Sequence, residues 1–161
     1  MASDLRDELF LIFTQSGERY ALHLKQVDEV LEMPRLEFVP RSPSQCLGAI
    51  PHHGQVLAVV DAASVLDAPA KGSQSTQDVP TVLSGSLTRL VVLSYGDCTF
   101  ALQVDRVDRI SPLSSKQRVA GGGEEDAAKW LEGVYPEPDG IVNKINTAVL
   151  VETIDRIFQA A

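Results

Sequence analysis

YALHLKQVDEV at 20–30 and FALQVDRVDRI at 100–110 are two versions of one pattern, and they decide the fold. In each, an aromatic residue precedes Ala-Leu, and a Val-Asp pair and one more aliphatic residue close the pattern. An apolar stretch with a glycine turn precedes each copy, LIFTQSG at 11–17 and VVLSYG at 91–96. The copies are about 80 residues apart, whereas solenoid repeats run roughly 20–50 residues. The repeat therefore indicates two copies of one small β unit.

The first copy predicts short strands joined by tight turns. LFLIFTQ (9–15) is an almost continuous apolar run, which is typical of a buried strand, and RYALHL (19–24) alternates as a half-buried strand does. The apolar spacing in KQVDEVL (25–31) is closer to helical, so it predicts a short helical turn or a bend. LEFVP (36–40) is predicted to be a short strand.

A second hairpin follows. CLGAIP (46–51) and VLAVVD (56–61) flank His52-His53-Gly54, which predicts a turn between two strands. ASVLD (63–67) predicts one closing helical turn. The second copy is predicted to repeat this order, with strands at 89–95 and 98–104 and a bend at 105–110.

The end of the second copy is longer than the end of the first. LEGVYP (131–136) matches LGAIP, and TIDRIF (153–158) matches AASVL. Gly48 to Leu66 spans 18 positions, whereas Gly133 to Phe158 spans 25. Because the difference falls in PEPDGIVNKINT, we expect an enlarged hairpin there.

The fold class predicted from these elements is all-β with short helical turns. Five short antiparallel strands cannot bury themselves as a flat sheet, and closure into a barrel removes the exposed edges. We therefore expect two five-stranded barrels that share a core within a single domain over 1–161. The first barrel lobe is predicted at 8–67 and the second at 87–161, and a linker rich in Ser, Gly and Pro joins them at 68–86.

The composition limits the classes of partner. The net charge of −8 disfavours nucleic acid and anionic membranes, which are bound through clustered Lys and Arg. No apolar run approaches the ~18–20 residues of a membrane span, so we expect no direct membrane insertion. MASDLRDELF at the start lacks the layout of a signal peptide. Cys46 and Cys98 are read as separate thiols in a reducing compartment, which predicts a cytoplasmic protein.

In the order of its elements the chain resembles the CheW-like domain, the family of chemotaxis coupling (adaptor) proteins. The resemblance extends from Glu8 to Phe158. It rests on FLIFTQSGERYALHLKQVDEVLE, then Pro40, then Gly48 at the start of a GxxxxxGxVLxVVD element, and on the closing VETIDRIF. The internal repeat adds to this match.

The resemblance implies two five-stranded, SH3-like β-barrels around a common hydrophobic core, and no enzymatic activity. Family members bind the regulatory domain of a histidine kinase through one barrel. They bind the cytoplasmic tip of a methyl-accepting chemotaxis receptor near the junction of the barrels. The expected function is therefore a non-catalytic adaptor that couples such receptors to a histidine kinase. The alternative is a CheW-like scaffold in another motility or signalling pathway, with an altered receptor contact.

One hairpin departs from the family pattern. Family members usually carry Asn-Leu-Arg-Gly there, and a proline in the next strand, whereas this chain has PHHG at 51–54 and Ala58. An arginine supplies a permanent, bidentate cation for partner recognition. His53 supplies a cation only when it is protonated. Either His52 or His53 substitutes for the arginine, or the hairpin is a solvent-exposed turn in an adaptor that has lost the usual receptor contact.

Two interpretations are open for the aliphatic residues of the repeat. They plug the shared core, which is the structural interpretation, or some of them line a groove between the barrels where a receptor helix packs. The polar residues at the same bends are read as solvated charges: Asp28, Glu29, Asp108 and Arg109. The resemblance also places Glu29 near partner surfaces. The candidate partner-binding residues are Val27, Glu29, Val30, His53, Gly54, Val107 and Ile110.

The sequence contains no recognisable catalytic motif. It has no Gly-x-Ser-x-Gly elbow, no GxxxxGK[ST] phosphate loop and no HExxH, so we expect no enzyme, no catalytic residue and no cofactor. Cys46, His52 and His53 lie within eight residues. Adjacent residues of a strand point to opposite sides, which would prevent both histidines from binding one ion. The expectation is therefore that no metal is bound.

Overall fold

A computed structural model describes residues 9–66, 87–113, 130–138 and 140–160. The linker predicted at 68–86 lies outside these described residues. The strands are β1 (Leu9–Gln15), β2 (Glu18–His23), β3 (Val27–Glu32), β4 (Cys46–His52), β5 (Gln55–Asp61), β6 (Arg89–Tyr95), β7 (Cys98–Val104), β8 (Arg106–Pro112), β9 (Leu131–Glu137) and β10 (Gly140–Ile145). The helices are α1 (Ala62–Leu66), α2 (Thr147–Ala160) and a single 3₁₀ turn, Leu24–Gln26.

The described strands form two five-stranded sheets whose orders are copies of one another. The β1 sheet has the order β8-β1-β2-β10-β9, and the β6 sheet has the order β3-β6-β7-β5-β4. Exchanging each strand for its counterpart five places along the chain converts one order into the other. In both sheets the only parallel pair joins the second strand of the repeat to the last, β2 to β10 and β7 to β5. The predicted all-β fold and the internal repeat are confirmed.

The residue pairing follows the sequence repeat. Phe13 pairs with Tyr20 in the β1 sheet, and Leu93 pairs with Phe100 in the β6 sheet. Gly48 opposes Val59, and Gly133 opposes Lys144. The pairs of the first copy occupy the same positions of the repeat as the pairs of the second, so the copies share strand register as well as strand order.

Each sheet takes strands from both halves of the chain, which differs from the predicted division into lobes at 8–67 and 87–161. The β1 sheet combines β1 and β2 with β8, β9 and β10, and the β6 sheet combines β6 and β7 with β3, β4 and β5. After the β1–β2 hairpin the 3₁₀ turn Leu24–Gln26 leads the chain into β3, which pairs with β6. Sequence neighbours alone do not specify which sheet an edge strand joins.

The stretch 25–31, predicted as a helical turn or bend, is helical only at its start, in the 3₁₀ turn, and continues as β3, and the bend predicted at 105–110 is mostly β8. The reason is a β-bulge. Val27 pairs with Leu93 and Glu29 pairs with the adjacent Val92, so Asp28 is an extra residue. Because of the inserted residue, Val27 and Val30 are three positions apart, whereas residues on one face of a regular strand are two apart. A spacing of three is typical of a helix, which explains the prediction.

Two further predictions need correction. LEFVP (36–40) is not a strand, because only Glu37 forms a bridge, to Ala49. The hairpin of the second copy is not enlarged, since the 11 positions from Gly48 to Val59 equal the 11 from Gly133 to Lys144. The additional residues of the second copy lie in α2, which has 14 residues where α1 has 5.

Apolar side chains form a central core between the sheets and one smaller cluster on the other face of each sheet. β1 sends Leu11 and Phe13 into the central core and Phe10 and Ile12 to the opposite cluster. β6 does the same, with Val91 and Leu93 in the central core. Strands buried on both faces require continuous apolar runs, which explains the sequences of β1 and β6.

Helix α2 covers the central core. Leu150, Val151 and Ile154 on one of its faces are buried there. The helix begins after Asn146, whose side-chain oxygen accepts a hydrogen bond from the backbone N–H of Val149 at 3.3 Å, as a capping residue does. Among the described residues, no helix has the length and the apolar character needed to span a membrane.

We predict that Leu22→Ala and Leu102→Ala each lower the free energy of unfolding by about 2–5 kcal/mol, since each leaves a cavity in the central core. Both leucines are fully buried. Chemical denaturation monitored by circular dichroism measures the effect, and Leu87→Ala at an exposed position is the control. Equal midpoints for Leu22→Ala and Leu87→Ala would contradict the assignment of Leu22 to the core.

Gly48→Ala is expected to destabilise the fold by about 1–3 kcal/mol, because the added methyl overlaps neighbouring atoms. At Gly48 the φ angle is +154°, and a Cβ would lie 2.7 Å from the Glu37 carbonyl oxygen. Gly17→Ala is the matched control, since Gly17 also has a positive φ but open space around its Cβ position. Thermal unfolding should show a larger loss for Gly48→Ala than for Gly17→Ala, and the reverse order would refute this explanation.

Candidate functional site

The candidate aliphatic residues lie on the edge strands β3 and β8, and they divide into two pairs. Val27 and Val107 are partly buried and pack against the central core. Val30 and Ile110 are exposed, by 39% and 53%. The structural interpretation therefore fits Val27 and Val107, whereas Val30 and Ile110 are available to a partner.

The two aspartates of the repeat lie at the bulges and hold them in place. The Thr14 hydroxyl donates a hydrogen bond to Asp108 Oδ2 at 2.6 Å, and the Ser94 hydroxyl donates one to Asp28 Oδ2. Arg106 Nε also lies 2.6 Å from the second carboxylate oxygen of Asp108. The expectation that these aspartates are merely solvated charges is wrong. Each bridges an edge strand to its neighbour and fixes the position of the residue that follows it.

Those following residues, Glu29 and Arg109, connect the two edges of their sheets. Glu29 of β3 lies 3.3 Å from His52 Nε2 of β4, the opposite edge strand of the β6 sheet. Arg109 of β8 lies 3.6 Å from Glu137 of β9, the opposite edge strand of the β1 sheet. Glu29 is equivalent to Arg109 in the repeat, and His52 is equivalent to Glu137. One side-chain pair at the same place therefore draws the edges of each sheet together.

His53 joins the first of these pairs. Its Nε2 lies 3.4 Å from the same Glu29 oxygen, Oε2, and its ring centroid lies 4.0 Å from that of His52. We name Glu29, His52 and His53 the histidine cluster. The sequence argument that adjacent histidines point to opposite sides is wrong here. The sheet edge thus carries two imidazoles facing one carboxylate.

The hairpin turn is the physical reason. His52 pairs with Gln55, so His53 and Gly54 form a two-residue loop, and both have positive φ angles, +49° and +76°. Two positive φ angles are typical of the type I′ turn that matches the twist of a hairpin. The alternation of side chains applies to extended residues, and His53 is not extended. Gly54 is needed because it takes up its positive φ angle without strain.

The three side chains of the histidine cluster differ in their exposure to solvent. The side chain of His52 is 15% exposed, that of Glu29 42% and that of His53 79%. The ligand atoms of all three lie within 4.8 Å of one another, and Cys46 does not belong to this group. The Cys46 thiol instead donates to the Gly48 carbonyl oxygen at 3.3 Å. The cluster therefore brings Glu29 to the two histidines. The sequence had placed the histidines near Cys46 and gave no sign that Glu29 is their neighbour.

An open groove of about 900 Å³ lies beside the cluster, and sequence reasoning did not identify it. Leu31, Leu36 and Ile50 contribute apolar surface, and His52 forms part of its wall. Phe38, also in the lining, is 86% exposed. The signal is the apolar LEFVP segment, in which Leu36 packs against the apolar cluster of the β6 sheet while Phe38 is left on the surface.

The surroundings of Cys98 on β7 disfavour its thiolate form. Burial raises the pKa of the Cys98 thiol above its ordinary value, and the Asp155 carboxylate raises it further. Because the thiolate is the nucleophile, a raised pKa disfavours reactivity. The features of the described surface that suit function are therefore the exposed edges, the groove and the histidine cluster.

The comparisons with known proteins agree with this architecture. The sequence model of the CheW-like domain matches residues 9–158, whereas no curated protein matches the chain. Among solved structures, the scaffolding protein TtCheW from Thermoanaerobacter tengcongensis is similar, with a TM-score of 0.68 at 18% sequence identity. The match covers 86% of this chain and 84% of that one. Because the family match extends from the first residue of β1 into the last turns of α2, the chain belongs to the CheW-like domain family.

Proposed function

We propose that this protein is a non-catalytic adaptor of chemotaxis-type signalling that couples methyl-accepting receptors to a histidine kinase. The observation that carries the proposal is the family match over residues 9–158. CheW-like proteins are scaffolds and not enzymes. The proposed partners are the regulatory domain of the kinase and the cytoplasmic tip of the receptor, and the proposed location is the cytoplasm.

An adaptor of this kind needs two surfaces that bind different partners, and the paired sheets supply a basis for them. The edges β3 and β8 occupy equivalent positions in the two sheets, but their exposed residues differ. β3 presents Glu29 and Val30, whereas β8 presents Arg109 and Ile110. Opposite charge at one position favours different partners, because like charges facing each other repel.

The remaining candidate residues have separate roles in this proposal. Val27 and Val107 anchor their edge strands to the central core. His53 and Gly54 form the tip of the β4–β5 hairpin beside Glu29, and Gly54 permits its turn. Partner contacts are therefore assigned to the exposed residues Glu29, Val30, Ile110 and His53.

We expect Val30→Asp and Ile110→Asp each to weaken the binding of one partner by about tenfold or more and to spare the other. The reason is that each substitution places a charge in the apolar part of one edge. Binding of a kinase regulatory domain and of a receptor hairpin fragment is measured separately, by isothermal titration calorimetry. Ile141→Asp is the control, since Ile141 is an exposed aliphatic residue of β10 outside the candidate set.

The proposal also requires that the wild-type chain hold both partners in one complex during size-exclusion chromatography. Failure of the wild type to bind either partner would refute the adaptor function. Loss of the same partner in both variants would refute the assignment of two edges to two partners, and it would leave the adaptor function intact.

The hairpin favours a second candidate, a CheW-like scaffold of another motility or signalling pathway with an altered receptor contact. Both histidine Nε2 atoms lie beside Glu29, so neither offers the unpaired permanent cation that an arginine supplies. His53→Arg distinguishes the candidates. If the hairpin contacts the receptor, the variant should bind the receptor fragment more tightly than the wild type does. In the scaffold with an altered contact, the two affinities should be equal.

A further inference from the structure

The histidine cluster has the chemistry of a transition-metal site. Two imidazole nitrogens and one carboxylate oxygen are a ligand set used by zinc in proteins. Here the three donors come from two separate pieces of the chain, the bulged edge strand β3 and the β4–β5 hairpin. Their convergence depends on the tertiary structure.

The distances between the donors fit one ion. Zinc lies about 2.0–2.1 Å from histidine nitrogen and about 2.0–2.2 Å from carboxylate oxygen, with tetrahedral angles, so two of its ligands are about 3.3–3.4 Å apart. Glu29 Oε2 lies 3.3 Å from His52 Nε2 and 3.4 Å from His53 Nε2. One ligand atom from each of the three residues lies within 4.8 Å of those of the other two. The two distances that involve Glu29 Oε2 thus already match a tetrahedral site, and the exposed His53 ring has room to adjust the distance between the two nitrogens.

Two of the three ligands are held in place by the fold. The bulge at Asp28 fixes the direction of Glu29, because the Asp28 carboxylate accepts a hydrogen bond from the Ser94 hydroxyl of β6. His52 is mostly buried at the end of β4. The exposed His53 lies at the mouth of the site. A site with two fixed ligands and one accessible ligand can admit an ion from solvent and then close around it.

We propose that Glu29, His52 and His53 bind one Zn²⁺ ion through Oε2 and the two Nε2 atoms. Imidazole ligands suit zinc and its neighbours copper and nickel, while calcium and magnesium prefer ligand sets made of oxygen. The ion ties β3 to the β4–β5 hairpin at the place where Arg109 and Glu137 join the edges of the other sheet. The bound metal therefore strengthens the edge closure of the β6 sheet. This inference does not depend on the proposed adaptor function.

Zinc binding is tested on the full chain without a polyhistidine tag, after treatment with a chelator that is then removed. Zn²⁺ is titrated in competition with a chromophoric chelator. The wild type is expected to bind one ion per chain. Glu29→Gln, His52→Gln and His53→Gln are each expected to weaken binding by about tenfold or more, since loss of even an outer partner of a metal ligand costs roughly 10–100-fold.

Two matched controls define the site. Glu32→Gln removes an exposed carboxylate from the same strand, and Cys46→Ser removes the thiol nearest in sequence to the histidines. Neither variant should change the affinity for Zn²⁺. Absence of competition by the wild type overturns the proposal. So does unchanged affinity in a variant carrying both His52→Gln and His53→Gln.

Thermal unfolding provides a second readout that does not rely on competition. An ion that binds only the folded chain raises its unfolding temperature. Zn²⁺ should raise the unfolding temperature of the wild type and of Glu32→Gln by equal amounts and that of His53→Gln by less. Because His53 is the most exposed of the three ligands, this variant should unfold at nearly the wild-type temperature without metal. An equal effect of Zn²⁺ on the wild type and on His53→Gln would overturn the proposal.

Discussion

Burial of β1 and β6 on both of their faces is the constraint on which the other features depend. Leu11 and Phe13 of β1 enter the central core, and Phe10 and Ile12 enter a second cluster on the opposite face. A strand in this position cannot leave either face to water without exposing large apolar side chains. Each sheet must therefore pack against the other through one face and curl around its own cluster with the other.

Curling brings the two edges of a sheet near each other, and the bulges make this closure specific. A bulge adds one residue to the edge strand and increases its bend. Asp28 and Asp108 occupy those positions and are hydrogen-bonded to Ser94 and Thr14 of the neighbouring strand. As a result the following residue points across the opening, to His52 in one sheet and to Glu137 in the other. The Val-Asp pair of the repeat thus positions the edge strand: the valine packs against the central core and the aspartate holds the bulge.

The two closures have the same geometry but different chemistry. Arg109 and Glu137 carry opposite permanent charges, whereas Glu29 faces two imidazoles. Because the residues at these equivalent positions differ, the edges of the two sheets present different surfaces. The proposal that the protein binds two partners depends on this difference. It also places two nitrogen ligands next to a carboxylate in one sheet alone, the arrangement that suggests zinc. The groove next to His52 adds an apolar surface to this edge of the β6 sheet, because its lining includes the exposed Phe38.

Apolar periodicity and turn residues act over a few positions, so the sequence alone predicts the all-β class, the two-fold repeat and the hairpins. The order of its motifs carries the resemblance to the CheW-like family. Sequence reasoning misjudged KQVDEVL, since the bulge at Asp28 imitates helical spacing, and it placed the extra residues of the second copy in a hairpin instead of α2. The sequence does not show which sheet each edge strand joins or whether His52 and His53 meet Glu29; the folded chain does. Those outcomes depend on contacts between distant segments and on the positive φ angle of His53. The spacing of residues along the chain predicts neither the contacts between distant segments nor the φ angle of His53.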